Sequence, residues 1–214
     1  MYGIYTEEEL QKFRDGSDPY GYPNTDWNKE VLLPRAWQQM HSLTASGGSD
    51  KVKYFAGFGY VKQDALYGDT RTNKSTSGFN RYNARVNIDA NIVDKYLNLS
   101  ADMAYRQEDR NSIAGSTSDV FNNMHRNPQT DPGRFPDGNL GKVSLGVNPI
   151  GLATEGGWVK DRKSVLNTRF MLDFNVPGLE GLNLKGIFSY DKIFNSIKLS
   201  LIHISEPTRL ALIS

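Results

Sequence analysis

The sequence predicts an all-β chain: an antiparallel up-and-down meander of about six long strands, preceded by a short N-terminal helix. Three observations predict it. Apolar and polar residues alternate with a period of two over runs of about ten residues or more, whereas soluble strands average ~5–6. In each run one face is apolar, with an aromatic residue near an end, and the other carries Arg, Asp, Asn and Lys. The connections alternate in length: short at 47–51, long at 64–77, short at 94–95, long at 111–163, short at 177–181. Up-and-down pairing therefore gathers the short turns at one end and the long loops at the other. A strand that crosses a bilayer has ~9–11 residues, an apolar outer face and a polar inner one, with short turns on one side and long loops on the other. The pattern fits part of the wall of a transmembrane β-barrel. About six strands are too few to close one, since the smallest have ~8, so the chain is expected to be a piece of a larger barrel.

Composition narrows the alternatives. The 214 residues carry 25 basic and 24 acidic side chains, so no bulk field directs the chain to nucleic acid. The absence of cysteine excludes a disulfide scaffold, thiolate metal sites and a cysteine nucleophile. No run approaches the ~20 apolar residues of a spanning helix, and the ordered stripes of β-branched and aromatic residues argue against disorder. Met1 to Ile4 lead straight into Glu7-Glu8-Glu9, with neither a basic nor an apolar leader region. Either the protein is cytoplasmic or Met1 is not its natural start.

Along the chain, Thr6-Glu7-Glu8-Glu9 has the form of a capping box, and a helix to about Arg14 is expected to end at Asp15-Gly16. Residues 17–28, with Asp18-Pro19, Gly21 and Pro23-Asn24, read as an irregular connector. The first strand alternates His41, Leu43 and Ala45 with Ser42, Thr44 and Ser46, and Gly47-Gly48-Ser49-Asp50 turns it. The second sets Val52, Tyr54, Ala56, Phe58 and Tyr60 against Lys53, Phe55, Gly57 and Gly59. The third sets Tyr82, Ala84, Val86, Ile88, Ala90 and Ile92 against Arg81, Asn83, Arg85, Asn87 and Asp89. The fourth sets Leu97, Leu99, Ala101, Met103 and Tyr105 against Asn98, Ser100, Asp102 and Arg106. The fifth sets Leu166, Thr168, Phe170, Leu172, Phe174 and Val176 against Asn167, Arg169, Asp173 and Asn175. The sixth sets Leu182, Leu184, Gly186, Phe188 and Tyr190 against Asn183, Lys185, Ser189 and Asp191. From Leu199 onward the alternation breaks without a turn, and residues 199–214 read as a non-native tail resembling translated sequencing adapter.

The chemistry-bearing residues favour binding over catalysis. His41, His125 and His203 have no acidic or histidine neighbour at ligand spacing, so no metal site is expected. Gly57-Phe58-Gly59 lacks the third glycine and the helix of a dinucleotide loop, and reads as a thinned strand where another segment or neighbouring backbone comes close. Asp131 to Asn139 reads as a turn cluster, lacking the Asp-x-Asp spacing and terminal Glu of a calcium loop. Asp89, Asp102, Asp173 and Asp191 could serve a glycosidase, but they alternate with Arg85, Arg106, Arg169 and Lys185, as mutually neutralising charges on a wet wall do. The expected lumen-facing set is Arg81, Asn83, Arg85, Asn87, Asp89, Asp102, Arg169, Asp173 and Lys185. The loop 111–163 offers Phe121, His125, Arg126, Phe135 and Trp158 as ligand-facing candidates, since aromatic faces beside amides suit sugars or peptides. The same loop can equally pack a short helix, Ser118 to His125, through Val120, Phe121 and Met124. No cofactor and no catalytic residue is expected.

Several of these strings together resemble one family. Thr6 to Gly16, followed by Tyr22-Pro23-Asn24-Thr25-Asp26-Trp27, resembles the segment joining plug to barrel in SusC/RagA-type TonB-dependent transporters. Ser46-Gly47-Gly48-Ser49-Asp50-Lys51-Val52-Lys53-Tyr54-Phe55 is similar to their first barrel hairpin, and Arg81 to Asp89 to their third strand. The resemblance covers residues 2–198 and implies a barrel of about 22 strands around an N-terminal plug. On that basis, 1–39 is a plug-to-barrel connecting segment and 40–198 holds the first barrel strands. The implied activity is import of oligosaccharides or peptides across the cell outer membrane, beneath a SusD-like surface lipoprotein. The implied partners are that lipoprotein, the TonB complex through a segment lying outside this sequence, a glycan or peptide ligand, and outer-membrane lipid. The alternative from another class is a soluble carbohydrate-binding β-sandwich, with a glycosidase weaker still; strand length and loop sorting favour the transporter.

Overall fold

The computed structural model describes residues 5–179 and 181–201. Helix α1 (Glu7–Asp15) starts on the capping box: Thr6 accepts from the Glu9 amide at 3.3 Å, and the Glu9 carboxylate accepts from the Thr6 amide at 2.7 Å. Gly16 ends it in the left-handed region, φ 65°, where a side chain would be strained. Phe13 packs edge-on against both Tyr5 and Tyr22, at 5.1 and 5.2 Å, so this exposed segment is held by a small aromatic cluster. The connector is less irregular than expected, because a second helix, α2 (Trp27–Val31), begins at its end with Asp26 as N-cap.

From there the chain enters a continuous antiparallel meander. Its strands are β1 (Gln38–Gly48), β2 (Val52–Asp64), β5 (Gly78–Val93), β6 (Leu97–Ile113), β7 (Gly157–Asn175) and β8 (Asn183–Leu201), paired in the order β1-β2-β5-β6-β7-β8. The six predicted strands and their sequential pairing are all present. They lengthen along the chain from 11 residues in β1 to 19 in β7 and β8. The register runs unbroken except for a bulge at Ile92, between the Asn91–Asn98 and Val93–Leu97 pairs. No second sheet covers either face among the described residues, and β1 and β8 have open edges.

Two boundaries differ from expectation. β6 runs on to Ile113 and β7 begins at Gly157, which shortens the long loop to 114–156. Lys160, Asp161, Arg162 and Lys163 carry no two-fold alternation, yet they pair with β6, because ladder hydrogen bonds need no apolar face and Arg162 meets Asp109 across the strands at 2.5 Å. Leu199 to Leu201 continue β8 opposite Gly157 to Val159, whereas the remaining tail, 202–214, lies outside the described residues.

The long loops fold. The connection from β2 to β5 contains a small hairpin, β3 (Gly68–Asp69) with β4 (Lys74–Ser75), turned through Asn73 at φ 52°. The loop after β6 carries α3 (Thr117–Arg126), close to the expected helix, and α4 (Pro149–Thr154). These pieces and α2 share the main hydrophobic core of the described chain: Trp27, Val31, Tyr67, Ile113, Val120, Met124, Ile150 and Ala153. That core sits at the long-loop end, so the wall bears a packed cap. Val120 is wholly buried in it. Val120→Asp should open the cap by about 3 kcal/mol or more, through the lost apolar burial and an unpaired carboxylate. Hydrogen exchange should then accelerate in 114–156 while the β5–β6 ladder stays protected.

Candidate functional site: a two-faced wall and its cap

Partners opposite one another in the ladder project to the same side, so the register assigns each side chain to a face. One face is apolar row by row. Tyr54, Ile88, Ala101, Phe170 and Phe188 form a row, as do Ala56, Val86, Met103, Thr168 and Tyr190. Tyr60 stacks on Tyr82 at 5.0 Å and Phe170 on Phe188 at 6.5 Å. These side chains lie bare; Phe188 keeps 62% of its surface exposed and Phe58 48%. The band runs from Leu166 to Phe174 on β7, about the ~9–11 residues of a bilayer-crossing strand. Above it, on the same face, come Asn80, Asp109, Arg162 and Ser196, then Asn111, Lys160 and Lys198. Lys192 is the exception inside the band, and its ammonium lies over the Phe194 ring at 4.7 Å, one row nearer that polar edge.

The opposite face holds all nine expected polar residues. Arg81, Asn83, Arg85, Asn87 and Asp89 alternate along β5, and Asp102, Arg169, Asp173 and Lys185 share their side of the sheet. Charges pair directly across strands, Asp102 with Arg169 at 2.5 Å and Asp173 with Lys185 at 3.4 Å. Asn87 also donates to Asp102, and Asn167 donates to Asp191 at 2.7 Å. Three of the four carboxylates considered for hydrolysis are thus engaged by cations or amides. An added Cβ would stand 2.7 Å from the Asn83 amide at Gly59 and 3.2 Å from the Phe55 ring at Gly57.

The five loop candidates are spread over the cap instead of lining one pocket. Phe121 packs edge-on against Tyr67 at 6.5 Å, on the rim of the core. His125 bonds back to the Phe121 carbonyl at 2.7 Å, and Arg126 is exposed at the end of α3. Phe135 lies exposed in the turn bridged by Arg134 and Leu140. Trp158 belongs to β7, with the Lys160 ammonium 4.6 Å from its ring. Sequence reading missed α2 and α4. Asp26 before Trp27 and Val31, four apart, signals the first, and Asn148-Pro149, a cap followed by proline at N1, signals the second.

Electrostatics tie the cap together. Asp26 caps α2 through the Asn28 and Lys29 amides at 3.1 and 3.2 Å, with the Lys29 ammonium at 3.1 Å, and these contacts hold its carboxyl below the usual range. The Arg71 fork does the same for Asp69. Arg134 joins the cap's middle to Glu155 at 2.7 Å, and the buried carboxylate of Asp131 accepts from the amide and hydroxyl of Ser144.

No protein-family model matches the chain, and no curated protein does. Among solved structures it resembles one titled the structure of the RagAB peptide transporter, with a TM-score of 0.56 at 17% identity. The match covers 86% of this chain and 22% of that one, so the chain spans under a quarter of the transporter chain's length. The fold of the wall is therefore related to that of a transporter.

A pH effect follows from Asp26. Its depressed carboxyl stabilises α2 while ionised, a contribution present above the ordinary aspartate value of ~3.9 and lost as pH falls below it. Trp27 emission should shift to the red on acidification through that range, since Trp37 and Trp158 are already exposed. Asp26→Asn, which still caps, should remove the Asp26 contribution to that step.

Proposed function

We propose that the chain forms part of the barrel of a TonB-dependent outer-membrane transporter of the SusC/RagA type, importing oligosaccharides or peptides. One observation carries the reading: an apolar band of bilayer height, bounded on its long-loop side by polar rows and backed by a face that carries paired charges. A sandwich would bury that band under a second sheet, and the described chain leaves it open. In this reading lipid covers the row of Ile88, Phe170 and Phe188, while Arg81, Asn83, Arg85, Asn87, Asp89, Asp102, Arg169, Asp173 and Lys185 face a wet lumen. The paired charges suit passage of a polar ligand, and the role is transport, with no catalysis by this chain. Ligand would be gripped at the cap, where Phe121, His125, Arg126, Phe135 and Trp158 offer aromatic and polar contacts beneath a SusD-like lipoprotein. Energy would arrive from the TonB complex through another part of the protein.

Two adjacent substitutions in the complete transporter test this. Ile88 lies at mid-height of the band, so Ile88→Arg should cost ~2–4 kcal/mol and impair barrel assembly. Asn87→Arg, pointing to the other face, should be mild. Heat-modifiable gel mobility in membranes reads both; equal tolerance, or a worse defect at Asn87, would sink the assignment.

A further inference from the structure

The segment before β1 does not hang free. Its end, 22–33, threads between both long loops. The Thr25 amide donates to the Gln129 carbonyl at 2.8 Å, the Thr25 hydroxyl to the Asp131 carbonyl at 2.6 Å, and the Trp27 indole to the Pro128 carbonyl at 3.2 Å. On its other side the Leu33 amide donates to the Leu66 carbonyl at 2.7 Å, Leu32 bridges to Tyr67, and the Thr70 hydroxyl donates to the Glu30 carbonyl. Trp27 and Val31 then fill the core between these loops. The two loops also touch each other directly: β3 packs against α4, Tyr67 shares the core with Val120, Ile150 and Ala153, and the Thr76 hydroxyl donates to the Ala153 carbonyl, so the strap adds to a contact that the loops already make.

We infer that residues 22–33 are a strap that locks loops 65–77 and 114–156 into one body on the outward end of the barrel, so that the cap moves as a unit. The outward placement rests on the transporter reading; the strap itself rests on the contacts alone.

The test uses the complete polypeptide carrying this sequence, produced in a Gram-negative host, with heat-modifiable mobility reporting the folded barrel. Trypsin added to intact cells should cut 114–156 at least tenfold faster in Trp27→Ala than in wild type, with Trp27→Phe intermediate and the barrel still folded. A Thr25→Cys, Gln129→Cys pair should form a disulfide in most folded molecules and abolish any cleavage within 114–156. Unchanged cleavage in Trp27→Ala overturns the strap. Should that variant block assembly, the cysteine pair decides, and its failure to cross-link overturns the strap. Cutting that requires opened outer membranes overturns the outward placement and leaves the strap standing. A chain with no heat-modifiable form in the outer membrane overturns the transporter reading itself.

Discussion

The structure depends on an antiparallel register held almost without interruption across six strands. A period of two in the sequence becomes a partition of environments only if neighbouring strands stay in step, because one residue of slip exchanges the faces. Here they do, from Leu43 beside Phe58, Ala84 and Tyr105 to Leu166 on β7. Asp102 opposite Arg169 and Asp173 opposite Lys185 reinforce the register from the polar side, and stacked Phe170 and Phe188 do so from the apolar side. Each such pair adds a fraction of a kcal/mol to about one. Their value lies in specifying alignment.

The cap answers a different constraint. The wall's faces cannot bury their own apolar residues against one another, so a water-excluding core forms only where the long loops meet. Two buried asparagines there are tied to backbone: Asn148 caps α4 and its amide donates to the Gly133 and Gly141 carbonyls at 2.8 and 2.9 Å, while the Asn127 amide donates to the Val147 carbonyl at 3.1 Å. This is why a stretch that reads as loop in sequence has a defined shape.

Strands were legible because their signal is local and repeats: Arg81 to Asp89 alternates without fault, and turn residues sit where the ladder reverses. The ends of β7 were not, since Lys160 to Lys163 owe their conformation to β6 rather than to any pattern of their own. The capping box at Thr6 and the helix around Val120 could also be read. The burial of Trp27 could not, as it depends on partners a hundred residues away. For the candidate site, the polar face followed directly from alternation, whereas the grouping of Phe121, Phe135 and Trp158 depended on loop packing and came out dispersed.

The meander and the cap differ in the sequence distance of their contacts, and this bears on the order of assembly. Every strand of the wall pairs with the wall strand next before or after it in the chain, with only the small β3–β4 hairpin intervening, so the wall can zip up one hairpin at a time as low-contact-order structures do. The Trp27 indole must instead wait for Pro128, 101 positions later, and Thr25 for Asp131, 106 positions later. Loop-closure entropy for those contacts falls sharply once β1 to β6 have paired, because the wall already brings both partners to one end. The cap is thus a late-forming element, and a chain arrested before β6 completes would present Trp27 and Val31 to whatever apolar surface it met.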